Sequence, residues 1–301
     1  MTGTPFDKIL SPEWIRRDAP LSEYTSMRVG GPADVLLEPG SEEEIAAILR
    51  IAQMEQMPLF ILGNGSNVLF SDDGFRGAVL RIGKRFSDMQ QSGTAIIAQA
   101  GALLSAIARL AAANTLSGFE FAAGIPGSLG GAVCMNAGAY GGEMARVIAK
   151  ARVYAEGDIR TLSREDLDLS YRHSAVMEKG WLVLSAELSL LPGDREKIEA
   201  DMAELNRRRR EKQPLQYPSC GSFFKRPEGY FAGALIEQAG LKGFSVGDAQ
   251  VSELHAGFLI NRGHATAGQF YALMRQVQKT VFEKSGVALE PEVKLIGSFE
   301  Q

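Results

Sequence analysis

The sequence predicts an α+β chain of about two domains, and three observations carry that reading. Short apolar runs bounded by turn residues alternate with amphipathic segments along the 301 residues. The texture changes in the last third, where helices lengthen and strands shorten. Glycine is concentrated in one stretch, residues 118–143, which almost no charge interrupts.

Taken in order, Pro12–Asp18 suits a helical turn, and Thr25–Gly31 a strand ending in a tight turn. Ala33–Glu38 reads as a strand. Ser41-Glu42-Glu43-Glu44 has the form of a capping box, followed at helical spacing by Ile45, Ile48, Leu49 and Ala52. The strand Leu59–Leu62 completes a β-α-β unit. Further on, Ala95–Ala98 is strand-like and Leu103–Asn114 helical. Ala151–Ala155 and Ile159–Leu162 flank Glu156-Gly157-Asp158 as a hairpin. Trp181–Leu191 reads as a strand and Asp194–Glu211 as a long helix. Tyr230–Ala239 is a helix stopped by Gly240. Ala249–Val251 and Phe258–Ile260 are short strands. Thr266-Ala267-Gly268-Gln269 is a second capping box, ahead of a core stripe of Phe270, Leu273, Met274, Val277 and Val281. A strand over 290–297 closes the chain.

Composition narrows the function classes. A net charge of −4 argues against nucleic-acid binding. Cys134 and Cys220 stand far apart, without metal-ligand spacing or a disulfide framework, so a reducing compartment is expected. The first residues lack the basic and apolar regions of a signal peptide, and no apolar run reaches the length of a membrane span. A soluble cytoplasmic protein with no membrane partner is expected.

Glycine this dense needs a reason, such as positive φ or a ligand close to the backbone. The run Gly124-Ile125-Pro126-Gly127-Ser128-Leu129-Gly130-Gly131 offers several N–H groups to one anion, a nest suited to a phosphate or pyrophosphate. A tight loop buried between two lobes is the plainer alternative. A second loop, Gly63-Asn64-Gly65-Ser66-Asn67, favours the ligand. It sits between apolar runs as strand–loop–strand. Val68 stands where a Rossmann fingerprint needs glycine, and no P-loop string occurs. Two such loops outside both frames indicate a different dinucleotide fold.

Five ordered strings then identify a family. They are Leu62-Gly63-Asn64-Gly65-Ser66-Asn67, the Gly124–Gly131 run with Asn136-Ala137-Gly138, Tyr171-Arg172-His173-Ser174, Cys220-Gly221-Ser222-Phe223-Phe224-Lys225 and Glu290-Pro291-Glu292-Val293. From about Thr25 to Gly297 the chain resembles the UDP-N-acetylenolpyruvoylglucosamine reductases, flavoenzymes that make UDP-N-acetylmuramate for bacterial peptidoglycan. The resemblance implies a two-lobed FAD-binding portion of the vanillyl-alcohol-oxidase type and a separate α+β substrate-binding domain. It implies lobes at 1–82 and 83–200, a substrate-binding domain at 201–288 and a closing strand at 289–301. FAD is the implied cofactor, held by Gly63, Asn64, Gly65, Ser66, Asn67, Gly124, Gly127, Ser128, Gly130 and Gly131. NADPH is the implied reductant, and UDP-N-acetylglucosamine-enolpyruvate the substrate of a monomeric enzyme.

The implied reaction explains the residue types. Hydride addition to an unsaturated carboxylate builds an enolate-like charge, so a cation and an acid must be aimed there. Arg172 suits the cation, because a guanidinium grips a carboxylate with two parallel hydrogen bonds. Glu292 matches the family's carboxyl, with Glu290 as its decoy. Ser222 matches the proton donor; an ordinary turn serine is the plainer reading. Tyr171, Lys212 and Arg226 are expected to contact substrate. Cys220 reads as a small buried side chain. The basic run Arg207–Arg210 reads as a solvated helix end. Only 49 residues separate Arg172 from Ser222, which resembles the subclass lacking an inserted tyrosine loop over the pocket. Two rivals remain from the sequence: an oxidase of the same fold, and a non-catalytic nucleotide-sugar-binding module.

Overall fold

A computed structural model of the chain describes residues 4–299; the first three and the last two, which include the ends of the expected first lobe and closing strand, lie outside it. Compactness divides the chain into two units. One holds the segment up to Arg16, Val35–Asn64 and Ala78–Arg209. The other holds Arg17–Asp34, Gly65–Gly77 and the chain from Arg210. Division by packing thus differs from division by sequence order. Residues 17–34 and 65–77, assigned by sequence to the first lobe, pack with the C-terminal third.

In the first unit, helix α1 (Glu42–Met54) opens on Ser41, whose hydroxyl accepts the Glu44 N–H at 3.2 Å. The Glu44 carboxylate reaches back to the Gly40 N–H at 2.6 Å rather than to Ser41. Leu59–Leu62 follows and pairs in parallel with Ala78–Arg81. A five-stranded antiparallel sheet runs in the order 158–163, 148–155, 182–189, 95–99, 89–92. Its hairpin turns at Glu156 (φ 54°) and Gly157 (φ 93°), the two left-handed residues of a tight primed turn. Helices α2 (Leu104–Ala113) and α3 (Leu129–Cys134) bury Ile107, Leu129 and Val133 in one core with Ile96, Leu184 and Val153. The short α4 (Ala175–Glu178) and the polar α5 (Arg195–Lys212) complete it, and the last turn of α5 passes into the second unit.

In the second unit, an antiparallel sheet of order 219–222, 258–261, 249–251, 245–246 packs with α6 (Ala232–Gln238) and α7 (Ala267–Ser285). The expected α7 stripe is buried in full: Phe270, Leu273, Met274, Val277 and Val281. Thr266 and Gln269 form the reciprocal capping box, and Gly240 (φ 75°) follows α6 as expected.

Three expected elements differ. Pro12–Trp14 is a 3₁₀ turn, but Ile15–Pro20 is a strand. The Trp14 carbonyl, which would continue a helix, accepts the Glu38 N–H instead. Thr25–Gly31 is not a strand. The Thr25 hydroxyl donates to the Val29 carbonyl at 2.9 Å and closes a local turn, with Arg28 at φ 56°. The closing strand is short, Lys294–Ile296, parallel to Val68–Phe70. Ahead of it Pro291, which has no N–H, makes a single bridge with Phe224.

Candidate active site

Most of the expected cofactor loop residues lie in the first unit, where Gly63-Asn64 meets the Gly124–Gly131 run. The Asn64 side-chain amide donates to the Pro126 carbonyl at 2.8 Å and ties one loop to the other. A Cβ on Gly63 would stand 2.8 Å from the Ser128 hydroxyl. That hydroxyl is buried and has no hydrogen-bond partner among the described residues. Nor, among those residues, does any acceptor take the backbone N–H of Gly63, Asn64, Gly127 or Ser128. A buried polar atom without a partner costs stability, so this cluster fits a group rich in acceptor oxygens. The diphosphate of FAD is such a group. Gly130 has a different role: its N–H donates to the Ala100 carbonyl, and a Cβ there would meet the Ala100 Cβ at 2.9 Å. Around Gly131 the space is open.

Gly124 lies under α5. A Cβ on it would come within 2.7 Å of the Asn206 Oδ1 and 3.1 Å of the Arg209 Cδ. The basic run is therefore not uniform. Arg207 and Arg208 both grip Glu204, at 2.8 and 2.7 Å, and draw its carboxyl down to about 2. Arg209 turns inward. Burial lowers its pKa, opposed by the neighbouring Tyr140, and no carboxylate pairs with it among the described residues. An inward cation beside the glycine run adds to the anion fit. Sequence reading missed it, because helical phase separates Arg209 from its neighbours and composition does not.

Arg172, also in the first unit, sits at the tip of a tight turn. Ser170 and His173 exchange backbone hydrogen bonds at 3.2 and 3.1 Å, and Arg172 takes the left-handed φ of 55°. Its guanidinium lies 5.2 Å from the centre of the exposed Tyr171 ring. The turn is braced from the glycine stretch. Buried Asn136 donates to the Ser170 carbonyl at 3.0 Å while its Oδ1 accepts the Ala145 N–H at 2.9 Å. Ser174 donates to the Cys134 carbonyl and caps α4. The Tyr-Arg-His-Ser string thus holds exposed Tyr171 and half-buried Arg172 and His173 on buried Ser174.

In the second unit, Gly65 adopts φ 64°, and a Cβ on it would lie 1.9 Å from the Tyr24 carbonyl, so no other residue fits. Ser66 is half-buried beside it. Ser222 lies at the end of the strand Ser219–Ser222. Ser219 pairs with Ile260 and Ser222 with Phe258, three residues against two, with Gly221 at φ 82°. This is a bulge, which bends a strand and re-aims the side chain that follows. It leaves Ser222 exposed between buried Cys220 and Phe223. Burial pushes the Cys220 thiol up to about 12, so it stays protonated.

The expected carboxyl lies alongside. The Glu292 N–H donates to the Phe223 carbonyl at 2.9 Å, one residue on from Ser222. Glu290 is exposed and paired with Lys225, so that lysine serves Glu290 rather than the serine. Glu292 is half-buried. Lys212 is exposed at the end of α5, and beyond it the Oε1 of Gln213 is buried without a partner among the described residues. Arg226 is exposed.

A cavity of about 610 Å³ in the first unit is lined by Phe121, Tyr140, Gly141, Arg146, Leu190 and Arg208, none of them an expected site residue. Among the described residues no helix is long and apolar enough to cross a membrane.

Residues 33–163 match an FAD binding domain, and residues 213–296 match the C-terminal domain of UDP-N-acetylenolpyruvoylglucosamine reductase. A protein of that name from Agathobacter rectalis is 53% identical over 296 residues, covering 94% of each chain. One from Caldanaerobacter subterraneus subsp. tengcongensis is 52% identical, covering 92% of each. The crystal structure of the enzyme from Thermus caldophilus superposes with a TM-score of 0.81 at 36% identity, over 94% of this chain and 98% of that one. The α+β fold with a flavin-binding portion and a separate C-terminal domain is as the sequence predicts.

Proposed function

The chain belongs to the UDP-N-acetylenolpyruvoylglucosamine reductase family, and from that membership we propose that it reduces the enolpyruvyl ether of UDP-N-acetylglucosamine-enolpyruvate. The product is UDP-N-acetylmuramate, a peptidoglycan precursor, and NADPH is the reductant. Bound FAD supplies the hydride that the terminal vinyl carbon accepts. Gly63, Asn64, Gly127 and Ser128 hold its diphosphate, with Arg209 as counter-charge. The remaining work falls to side chains.

Arg172 pairs with the substrate carboxylate as negative charge spreads onto it. Glu292 shares a proton with the same developing enolate. Ser222 gives its hydroxyl proton to the carbon bearing the ether oxygen, so one hydride and one proton complete the saturated product. The Gly221 bulge supports this assignment best: it exposes Ser222 beside the residue that accepts the Glu292 N–H. The same reading makes the protein a cytoplasmic monomer that needs neither nucleic acid nor membrane.

Anaerobic stopped-flow kinetics test the proposal. The purified protein with FAD should be yellow, bleached by NADPH and recoloured by substrate. A protein left colourless by FAD would instead be a nucleotide-sugar-binding module, and one that ignores the enolpyruvyl substrate an oxidase. Ser222→Ala should leave bleaching unchanged and slow recolouring by roughly 10²–10⁴-fold, the usual weight of a general acid. Ser222→Cys should recover part of the rate. Equal slowing of both halves would make Ser222 a positioning residue and pass the proton to Glu292.

A further inference from the structure

We infer that Asn136 is a positioning residue for Arg172, an inference that rests on the carboxylate-binding role proposed for that arginine. Asn136 is 1% exposed and stands just past the end of α3. It takes a left-handed φ of 43°. Its N–H donates to the Val133 carbonyl at 3.2 Å, and the Ala137 N–H donates to the Ala132 carbonyl at 2.8 Å. That pair of bonds is the Schellman ending, and stopping a helix is the plainer role for an asparagine here. The side chain does something a helix ending does not need. Its Nδ2 donates to the Ser170 carbonyl at 3.0 Å and to the Glu143 Oε2 at 3.3 Å, while its Oδ1 accepts the Ala145 N–H at 2.9 Å. Glycine would end the helix equally well and would supply none of these bonds.

The Ser170 bond reaches the arginine through a short piece of backbone. The same Ser170 carbonyl accepts the His173 N–H at 3.1 Å, so one oxygen both closes the turn and attaches it to Asn136. Arg172 lies inside that closure at φ 55°, a conformation a long side chain keeps only where its surroundings impose it. A second tie fixes the far side: Ser174 donates to the Cys134 carbonyl at 2.6 Å and accepts the Met177 N–H at 3.1 Å. Both ties end on α3 or just beyond it, and α3 begins after Ser128, in the cluster that fits the FAD diphosphate. Six residues of helix, about 9 Å, thus set the spacing between the cofactor loop and the arginine turn. A guanidinium that grips a carboxylate by two parallel bonds tolerates little displacement. A misplacement of about 1 Å can slow a reaction roughly a hundredfold.

Two variants separate the helix ending from the brace. Asn136→Gly suits the left-handed φ and keeps the Schellman bonds. Asn136→Asp keeps the shape and the acceptor for the Ala145 N–H but removes both donors. In anaerobic stopped-flow on the FAD-loaded protein, each should slow substrate-driven recolouring by about ten- to a hundredfold, with NADPH bleaching within about twofold of wild type. In an Arg172→Ala background the same changes should slow recolouring by less than about twofold further, because their effect passes through the arginine. Amide exchange gives a readout independent of turnover: the His173 N–H should exchange about tenfold faster in both variants. Wild-type recolouring in Asn136→Gly would reduce the asparagine to a helix ending and overturn the inference. Full additivity with Arg172→Ala, unchanged His173 exchange, or loss of flavin with equal slowing of both half-reactions would overturn it as well. A wild type that ignores the enolpyruvyl substrate overturns the proposed reaction and the positioning role together, and the wild type alone tells that outcome from the others.

Discussion

The side-chain amide of Asn67 donates to the main-chain carbonyl of Glu292 at 3.1 Å, and the Lys294 N–H returns to the Asn67 carbonyl at 3.1 Å. The last residue of the first glycine loop thus clamps the segment that carries the carboxyl expected to face substrate. Asn67→Asp removes the donor and sets a like charge near Glu292. Substrate-driven reoxidation should slow about tenfold, the weight of roughly one lost hydrogen bond, with NADPH bleaching intact. Lost flavin with normal rates in the loaded fraction would instead make Asn67 a cofactor ligand.

Ser128 gives a test that needs no turnover. Its buried hydroxyl has no partner among the described residues, a cost of about 1–3 kcal/mol to the unloaded protein. Ser128→Ala should raise the melting temperature of the apoprotein by about 1–3 °C and weaken FAD about tenfold, measured by flavin fluorescence. An apoprotein that melts earlier, with unchanged FAD affinity, would mean the hydroxyl has a purely structural role.

The Glu-Pro-Glu pair separates by environment. Glu290 is exposed and bound to Lys225, while Glu292 is half-buried beside Phe223. Glu292→Gln and Arg172→Ala should each slow substrate reduction by roughly a hundredfold or more with flavin content normal. Glu290→Gln should stay within about twofold of wild type. A dead Glu290→Gln beside an active Glu292→Gln would reverse the assignment.

Cys220 predicts a pH dependence. Its folded thiol is pushed up to about 12 by burial, above the ordinary value near 9, so the unfolded chain releases the proton first. The neutral thiol's contribution is fully present below pH about 9 and is lost as pH rises toward 12. Cys220→Ala should be less stable at neutral pH. Its stability should then fall less steeply than wild type between pH 9 and 11, by up to about 1.4 kcal/mol per pH unit in denaturant titrations. Parallel slopes would show that the thiol titrates as freely as in the unfolded chain.

Local chemistry explains what was legible from residues alone. The α7 stripe and the Thr266 box are helical periodicity and one cap, and both appear as read. The Glu156-Gly157 turn needs two left-handed residues, which that pair tolerates. The expected strand at Thr25–Gly31 failed because the Thr25 hydroxyl competes for its own backbone, a choice made by the neighbouring fold. Arg209 was hidden in a run of like residues, since burial depends on which helix face meets Gly124.

By itself the sequence determined most element types, the two glycine loops and the family. These follow from spacing along the chain, which is a local property. Only the tertiary structure decided that residues 17–34 and 65–77 pack with the C-terminal third, and that Asn67 clamps Glu292. It also decided that a bulge at Gly221 exposes Ser222 beside a buried, protonated cysteine. Those facts depend on which backbone groups far apart in sequence find each other as partners. Hydrogen-bond satisfaction and burial set those pairings over the whole fold, and no window of residues contains them.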